Sequence, residues 1–344
     1  MATFLIIFMV ALIVAFWATP IAQRAAHRFN VLDRPAARKL HLTPMPLLGG
    51  VAIYLGTIVA LLVFGDKQEV TQLAGILIGA TLVSFFGLWD DRRSLSPAIK
   101  LVVQLVAALI LYATGISVGL FPFPLANLLL TLMWVVGITN AFNLLDNMDG
   151  LSGGVSAVGA LLFLVLAVQG QQVLVGSLAA GLLGACIGFL WYNFNPARIF
   201  MGDSGSLFIG FVLAALGIKL RFLAQPIVIT WMIPVLVLAV PIFDTTLVTI
   251  SRLRRGLNPL TTPSKDHLSH RLVARGMSHR EAVLSIYMLC FLSGIIAMLL
   301  TQATIAEAYA IGIAVLVIAL AGLVWLEANF TRPALGAETS HVSH

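Results

Sequence analysis

Charge is what this chain of 344 residues has least of. Asp, Glu, Lys and Arg make up 10% of it, against about 25% in an ordinary soluble domain. With 60% of the residues hydrophobic, that scarcity excludes a soluble globular domain, and with it any domain count from length. Cysteine is nearly absent too. Cys186 and Cys290 both lie in apolar runs, which excludes a disulfide framework or a cysteine metal centre and reads both as small core residues. No basic stretch precedes the apolar segment 1–20, so it reads as a first membrane helix rather than a cleaved signal. No long repeat and no low-complexity tract stands out. The net charge of +6 implies basic loops held on the cytoplasmic side of a membrane rather than a nucleic-acid partner.

What is present is hydrocarbon in long runs. A spanning helix needs about 20 mostly apolar residues, and eleven segments qualify: 2–20, 47–65, 70–89, 99–117, 125–143, 152–169, 172–191, 205–220, 226–250, 282–302 and 305–326. The expected fold is all-α, one integral-membrane domain over 1–330 followed by a disordered tail from 331 to 344. The segment 205–220 is short, and Pro234 and Pro241 are expected to kink 226–250. Pro122 and Pro124 mark a turn. Eleven crossings put 17 of the 20 Lys and Arg on one side, which is then cytoplasmic, with the N-terminus outside and the C-terminus inside.

That count also collects the polar motifs on the cytoplasmic face. A carboxylate beside hydrocarbon is costly and usually has a partner or a task. Asp90 and Asp91 end the third segment; adjacent carboxylates can bind Mg²⁺, and one of them can serve as a base, although pairing with Arg92 and Arg93 would explain them as well. Ser96 and Pro97 suit the cap and first position of the next helix. Asn143, Asp146 and Asp149 recur at intervals of three, so a helix would carry them on one face, and no Lys or Arg in that loop neutralises them. Phe200-Met201-Gly202-Asp203-Ser204-Gly205 opens the eighth segment; glycines there allow close approach to a ligand at a helix N-terminus, while Asp203 also suits a plain N-cap.

The basic loops supply the opposite charge. Residues 251–281 carry Arg252, Arg254, Arg255, Lys265, His267, His270, Arg271, Arg275 and Arg280, a population suited to phosphate oxygens or to anionic lipid headgroups. His267 and His270 lack the third ligand a zinc site needs. Arg38-Lys39-Leu40-His41 precedes Gly49-Gly50 and reads as an anion clamp or as a topology signal. Acidic groups for a divalent metal and basic groups for phosphates on one face point to phosphoryl-type transfer between a phosphate ester and a lipid that enters from the bilayer.

In this order and spacing the motifs resemble those of the polyprenyl-phosphate N-acetylhexosamine-1-phosphate transferases, particularly the bacterial WecA/TagO-like branch, over roughly residues 30–285. The resemblance implies that a polyprenyl phosphate attacks a UDP-sugar, with UDP-GlcNAc the expected donor, and that UMP leaves. It implies Mg²⁺, or Mn²⁺ in its place, held by Asp203, Asp146 and Asp91. Asp90 is implied as the base and Asp91 and Asp203 as further catalytic groups. Lys39, His41, Lys100, Asn143, Asp146, Asp149, Phe200, His267, His270 and Arg271 are implied as substrate contacts, with Phe200 stacking on the base. The expected location is the bacterial inner membrane with a cytoplasmic site; a homodimer is compatible with the chain. Where relatives often read His-x-His-His-Arg, this chain has Ser269 in place of one imidazole.

Two other readings compete. An MraY-like phospho-N-acetylmuramoyl-pentapeptide transferase would place a Lys soon after the Asp pair and a run of His in the basic loop; here Arg92 and Arg93 follow the pair and the run is missing. A cation-coupled transporter would place ionisable groups near mid-membrane, whereas these acids sit at helix ends.

Overall fold

The computed structural model describes residues 1–33, 44–64, 69–222, 225–259, 262 and 265–329. Arg38, Lys39 and His41, and the tail expected to be disordered, lie outside the described residues. The chain runs α1 (Ala2–Arg28), β1 (Leu32–Asp33), β2 (Met45–Pro46), α2 (Gly49–Phe64), α3 (Val70–Arg92), α4 (Pro97–Ala113), α5 (Pro124–Leu145), α6 (Leu151–Gln169), α7 (Val173–Asn193), α8 (Gly202–Lys219), α9 (Ile227–Thr230), α10 (Met232–Val237), α11 (Ala239–Arg254), α12 (Leu268–Val273), α13 (His279–Leu300) and α14 (Ile305–Ala328). The two short strands pair antiparallel, Leu32 opposite Pro46 and Asp33 opposite Met45.

This is a multi-pass membrane protein. Eight described helices are long and apolar enough to cross a bilayer, and nine if the bent pair counts as one span; α2 and α4 are apolar but shorter. The expected kink is a break: the stretch Ile227–Val237 meets α11 at 73°. Pro241, in the first turn of α11, has no N–H to give, so the hydrogen-bond ladder is interrupted where the chain turns. Ser96 caps α4 through its side chain, with Pro97 in the first turn, as the sequence predicts. The Pro122–Pro124 turn is closed by Asn127, whose amide donates to the Phe121 carbonyl and whose carbonyl accepts from the Phe121 N–H.

Small residues decide which helices lie inside. In α7, Gly and Ala on several faces let α1 and α6 approach closely, the packing available where hydrocarbon surrounds every helix. Helices α7 and α8 are 83% buried over their apolar windows, while α14 is 6% buried and turns its Leu, Ile and Val side chains to the surroundings. Side-chain contacts put the ends of α3, α5 and α7 together with the starts of α4, α6 and α8 at one end of the bundle. At the other end Lys219 pairs with Glu69, and Gln172 exchanges two hydrogen bonds with the Arg221 backbone.

Candidate active site

Asp203, in the first turn of α8, is the hub. Its Oδ2 accepts from the Lys100 ammonium at 2.6 Å and its Oδ1 from the Asn143 amide at 2.9 Å. Lys100 also donates to Asp90 Oδ2 at 2.7 Å, and Asp90 Oδ1 accepts the Leu95 N–H at 2.6 Å. Four helix ends thus supply one network of two carboxylates, one ammonium and one amide. Each of these side chains is only partly exposed, so the charges act through protein as well as water.

Two further features hold that network. One turn deeper than Lys100 and Asn143, Gln104 and Asn140 exchange amide hydrogen bonds at 3.3 and 2.5 Å. In hydrocarbon such a pair has few alternative partners, so it fixes the register of α4 against α5. The N-terminus of α2 meets that of α8: the Gly49 and Gly50 N–H groups donate to the carbonyls of Phe200 and Met201 at 3.0 and 2.8 Å. A Cβ on Gly50 would stand 2.1 Å from the Gly205 nitrogen, so only glycine permits this crossing. Gly49-Gly50 thus has a packing role at α8 that neither sequence reading foresaw.

Asp91 points away from Lys100. Its Oδ1 accepts the Asp203 N–H at 2.7 Å and its Oδ2 the Ser204 N–H at 3.1 Å. The capping task considered for Asp203 is therefore performed by Asp91, from another helix. Gly202 completes the turn at φ +72°, and a Cβ there would lie 2.6 Å from Asp91 Oδ2. Both Asp91 oxygens are engaged in orienting Asp203 rather than turned toward an open site.

Helix α5 stops at Leu145, so Asn143, Asp146 and Asp149 do not share a helical face. Asp146 follows the last turn, and burial, aided by repulsion from Asp203 and Asp149, raises its carboxyl to about 7. Asp149 faces the loop before Phe200, its Oδ2 accepting from the Asn195 amide and the Ala197 N–H, both at 3.0 Å. Phe200 is half-buried, and its N–H donates to the Pro46 carbonyl at 2.8 Å.

The basic loop divides into a structural half and a half that faces this site. Arg271 is 1% exposed. It donates to the carbonyls of Asp266 and Leu326 at 2.7 and 2.9 Å, to Ser251 Oγ at 3.0 Å and to Glu327 at 2.6 Å. Arg252 and Arg255 pair with Asp266. These guanidinium groups fasten the loop to α11 and α14, and a substrate contact through Arg271 does not fit a side chain so fully used. Ser269 does not stand in for an imidazole: it is buried, and its Oγ donates to Asn147 Oδ1 at 2.6 Å, tying α12 to the Asp146 loop. Burial first, then His267 and Lys265, depress His270 to about 4, so at neutral pH it offers a neutral ring rather than a cation. Asp244, which no motif singled out because it sits inside an apolar run, contacts His267 at 2.8 Å.

An apolar cleft of about 640 Å³ lies between α5 and the broken helix, lined by Leu130, Met133, Trp134, Ile138, Trp231 and Pro234 among others. It runs from Arg221 and Gln225 at the far end of the bundle to Ala141, on a different face of α5 from Asn143.

A helical membrane bundle with a carboxylate network at one end and an apolar cleft along α5 suits an integral-membrane enzyme that joins a polar substrate to a lipid. The model of glycosyl transferase family 4 matches residues 73–221. Over 316 residues the chain is 39% identical to a probable undecaprenyl-phosphate N-acetylglucosaminyl 1-phosphate transferase of Bacillus subtilis, covering 89% of this chain and 87% of the relative. It is 34% identical to a decaprenyl-phosphate N-acetylglucosaminephosphotransferase of Mycolicibacterium smegmatis over 81% and 77% of the two chains. Similarity to a phospho-N-acetylmuramoyl-pentapeptide-transferase of Streptococcus uberis, 35% identical, spans 51% of this chain and 59% of that one. The chain belongs to glycosyl transferase family 4, in its WecA/TagO-like branch.

Proposed function

We propose that this enzyme transfers GlcNAc-1-phosphate from UDP-GlcNAc to a polyprenyl phosphate. A phosphate oxygen of the lipid attacks the sugar-bearing phosphorus, the bond from that phosphorus to the oxygen shared with the uridine phosphate breaks, and UMP leaves. The observation that carries the reading is the Asp90–Lys100–Asp203–Asn143 network at one end of a bundle whose helix α5 also walls an apolar cleft. The names of the more fully covered relatives agree with it, and the shorter match to the pentapeptide transferase makes that alternative the weaker one.

Among the described residues no three His, Cys, Asp or Glu side chains converge as a ready metal cage. Mg²⁺ does not require one, since it keeps waters and takes one or two carboxylates together with substrate phosphates. Asp203 and Asp146 fit that donor set: they repel each other, and a divalent cation would relieve the repulsion. Asp203 and Asp146 would hold it, and bound there it would neutralise charge building on the diphosphate. Lys100, flexible and already between two carboxylates, would pass from Asp203 to a diphosphate oxygen. Asp90 would take any proton left on the lipid phosphate, which is mostly ionised at neutral pH. Asn143 orients Asp203, and Asp91 fixes the turn that carries it. Phe200, whose backbone is anchored to Pro46, would stack on uracil, while the apolar cleft would receive prenyl units.

The same reading takes α1–α8, the bent α9–α11 unit, α13 and α14 as eleven crossings, with the N-terminus outside and the network facing the cytoplasm of a bacterial inner membrane. The positive-inside distribution supports that orientation. Purified protein given Mg²⁺, undecaprenyl phosphate and a panel of UDP-sugars should release UMP with UDP-GlcNAc, and Asp203→Asn should lower turnover by at least about 100-fold. UMP release from no member of the panel defeats the reading.

A further inference from the structure

Asp244 is the one carboxylate well inside the apolar broken-helix unit, and it is 1% exposed. Among the described residues it has no Lys or Arg partner. A buried carboxylate without a counter-charge is costly unless its oxygens are fully hydrogen-bonded. Here both are engaged on one short segment: Oδ1 accepts the Leu268 N–H at 2.7 Å, and Oδ2 meets Nδ1 of His267 at 2.8 Å. An ionised carboxylate only accepts, so Nδ1 carries the proton. His267 precedes α12 and gives it no side-chain cap; Asp244 does so from α11. One side chain therefore sets where α12 starts and which nitrogen of His267 is left over.

The left-over nitrogen is Nε2. Among the described residues no hydrogen bond reaches it, and it is absent from their buried polar atoms left without a partner. It therefore reaches solvent, although the residue as a whole is only 5% exposed. The segment bearing it is tied to the Asp146 loop through Ser269 and Asn147, so α12 borders the site that carries Asp146 and Asp203. A carboxylate behind a histidine is a recurrent means of fixing the tautomer and aim of the far nitrogen.

We propose that Asp244 is a positioning residue of this enzyme, holding His267 so that Nε2 addresses a phosphate oxygen of the nucleotide-sugar. The proposal rests on the transferase reading above. Asn at 244 still caps α12, because its carbonyl accepts the Leu268 N–H. Its amide, however, would face Nδ1 as a donor and force the ring to carry its proton on Nε2 when neutral. Asn at 267 makes the complementary change: its amide still donates to Asp244, but nothing stands where Nε2 was.

The test uses the full chain in detergent or nanodiscs, with ¹⁵N-histidine labelling, thermal unfolding and UMP release from UDP-GlcNAc and undecaprenyl phosphate. At about pH 8.5, where histidine is ordinarily neutral, His267 should show a protonated Nδ1 in the wild type and a protonated Nε2 in Asp244→Asn. Both Asp244→Asn and His267→Asn should unfold close to wild type yet lose about 10- to 100-fold in turnover. The double variant should be no worse than about threefold below the weaker single one, since residues that act as a unit are not additive. Turnover by folded His267→Asn within about threefold of wild type overturns the proposal, as does an unchanged tautomer in Asp244→Asn. Should Asp244→Asn not fold, His267→Asn decides alone. Failure of the wild type to release UMP defeats the transferase reading instead, and the tautomer measurement still reports on the pair.

Discussion

Replacing Asp91 by Ala separates a positioning role from a chemical one. In the structure its two oxygens accept the N–H groups of Asp203 and Ser204 at 2.7 and 3.1 Å, the task of an N-cap performed by another helix. Loss of an ordinary N-cap costs about 0.5–2 kcal/mol, and a buried donor left unpaired costs about 1–3 kcal/mol. Ser204 is fully buried, so water cannot readily replace the carboxylate there. Its N–H should bear most of the penalty, and the whole change should destabilise the protein by about 2–4 kcal/mol. Asp91→Asn should fall between, because its carbonyl serves one N–H while its amide repels the other. The measurement is reversible unfolding in mixed micelles, with UMP release followed on the same samples. Turnover should fall together with stability, since a loosened first turn carries Asp203 away from Lys100 and Asn143. An Asp91→Ala protein as stable as wild type within about 0.5 kcal/mol but inactive would refute the capping argument and return Asp91 to the substrate.

Arg271→Ala should destabilise by about 3–5 kcal/mol, because Glu327 would keep only the exposed Arg254 at 3.2 Å and the Asp266 and Leu326 carbonyls would lose their donor; unfolding curves check this, and a stable variant with only a raised KM would restore Arg271 as a substrate contact. His270 predicts a pH effect on stability. Its folded value of about 4 lies below the ordinary value of about 6.5, so the unfolded chain takes up a proton first as pH falls. His270 thus costs no stability above about pH 6.5, and costs progressively more between there and about pH 4, on the order of 3 kcal/mol in full. The groups acting on the ring besides burial are His267, Lys265, Asp244 and His279. His270→Gln should lose less stability than wild type between pH 7 and 4.5, and equal losses would contradict the assignment.

What could be read along the chain was whatever depends on near neighbours. Apolar length located the long helices of the bundle but not α12, Ser96-Pro97 marked the start of α4, and Pro234 and Pro241 foretold the break that shapes the cleft. The polar motifs were visible because hydrocarbon tolerates few of them. Their tasks were not legible, since a task here is a choice of partner across the fold. Asp90 and Asp91 are adjacent in sequence, yet successive residues on a helix point about 100° apart. One therefore reaches Lys100 and the other the N–H groups of α8, more than 100 residues away. The interval of three from Asn143 to Asp149 suggested a shared face, but the helix ends at Leu145 and the loop sends Asp149 to Ala197 instead. Arg271 looked like a phosphate ligand because it stands in a cluster of Arg and His; the Asp266 carbonyl, Glu327 and the Leu326 carbonyl claim it instead. Asp244 was passed over for the converse reason, being a single acid in an apolar run with no charged residue within its turn. The same rule that made the other acids conspicuous applies to it: a carboxylate kept in a nonpolar layer must be satisfied. The partners that satisfy Asp244, His267 and the Leu268 N–H, lie on the segment that borders the site.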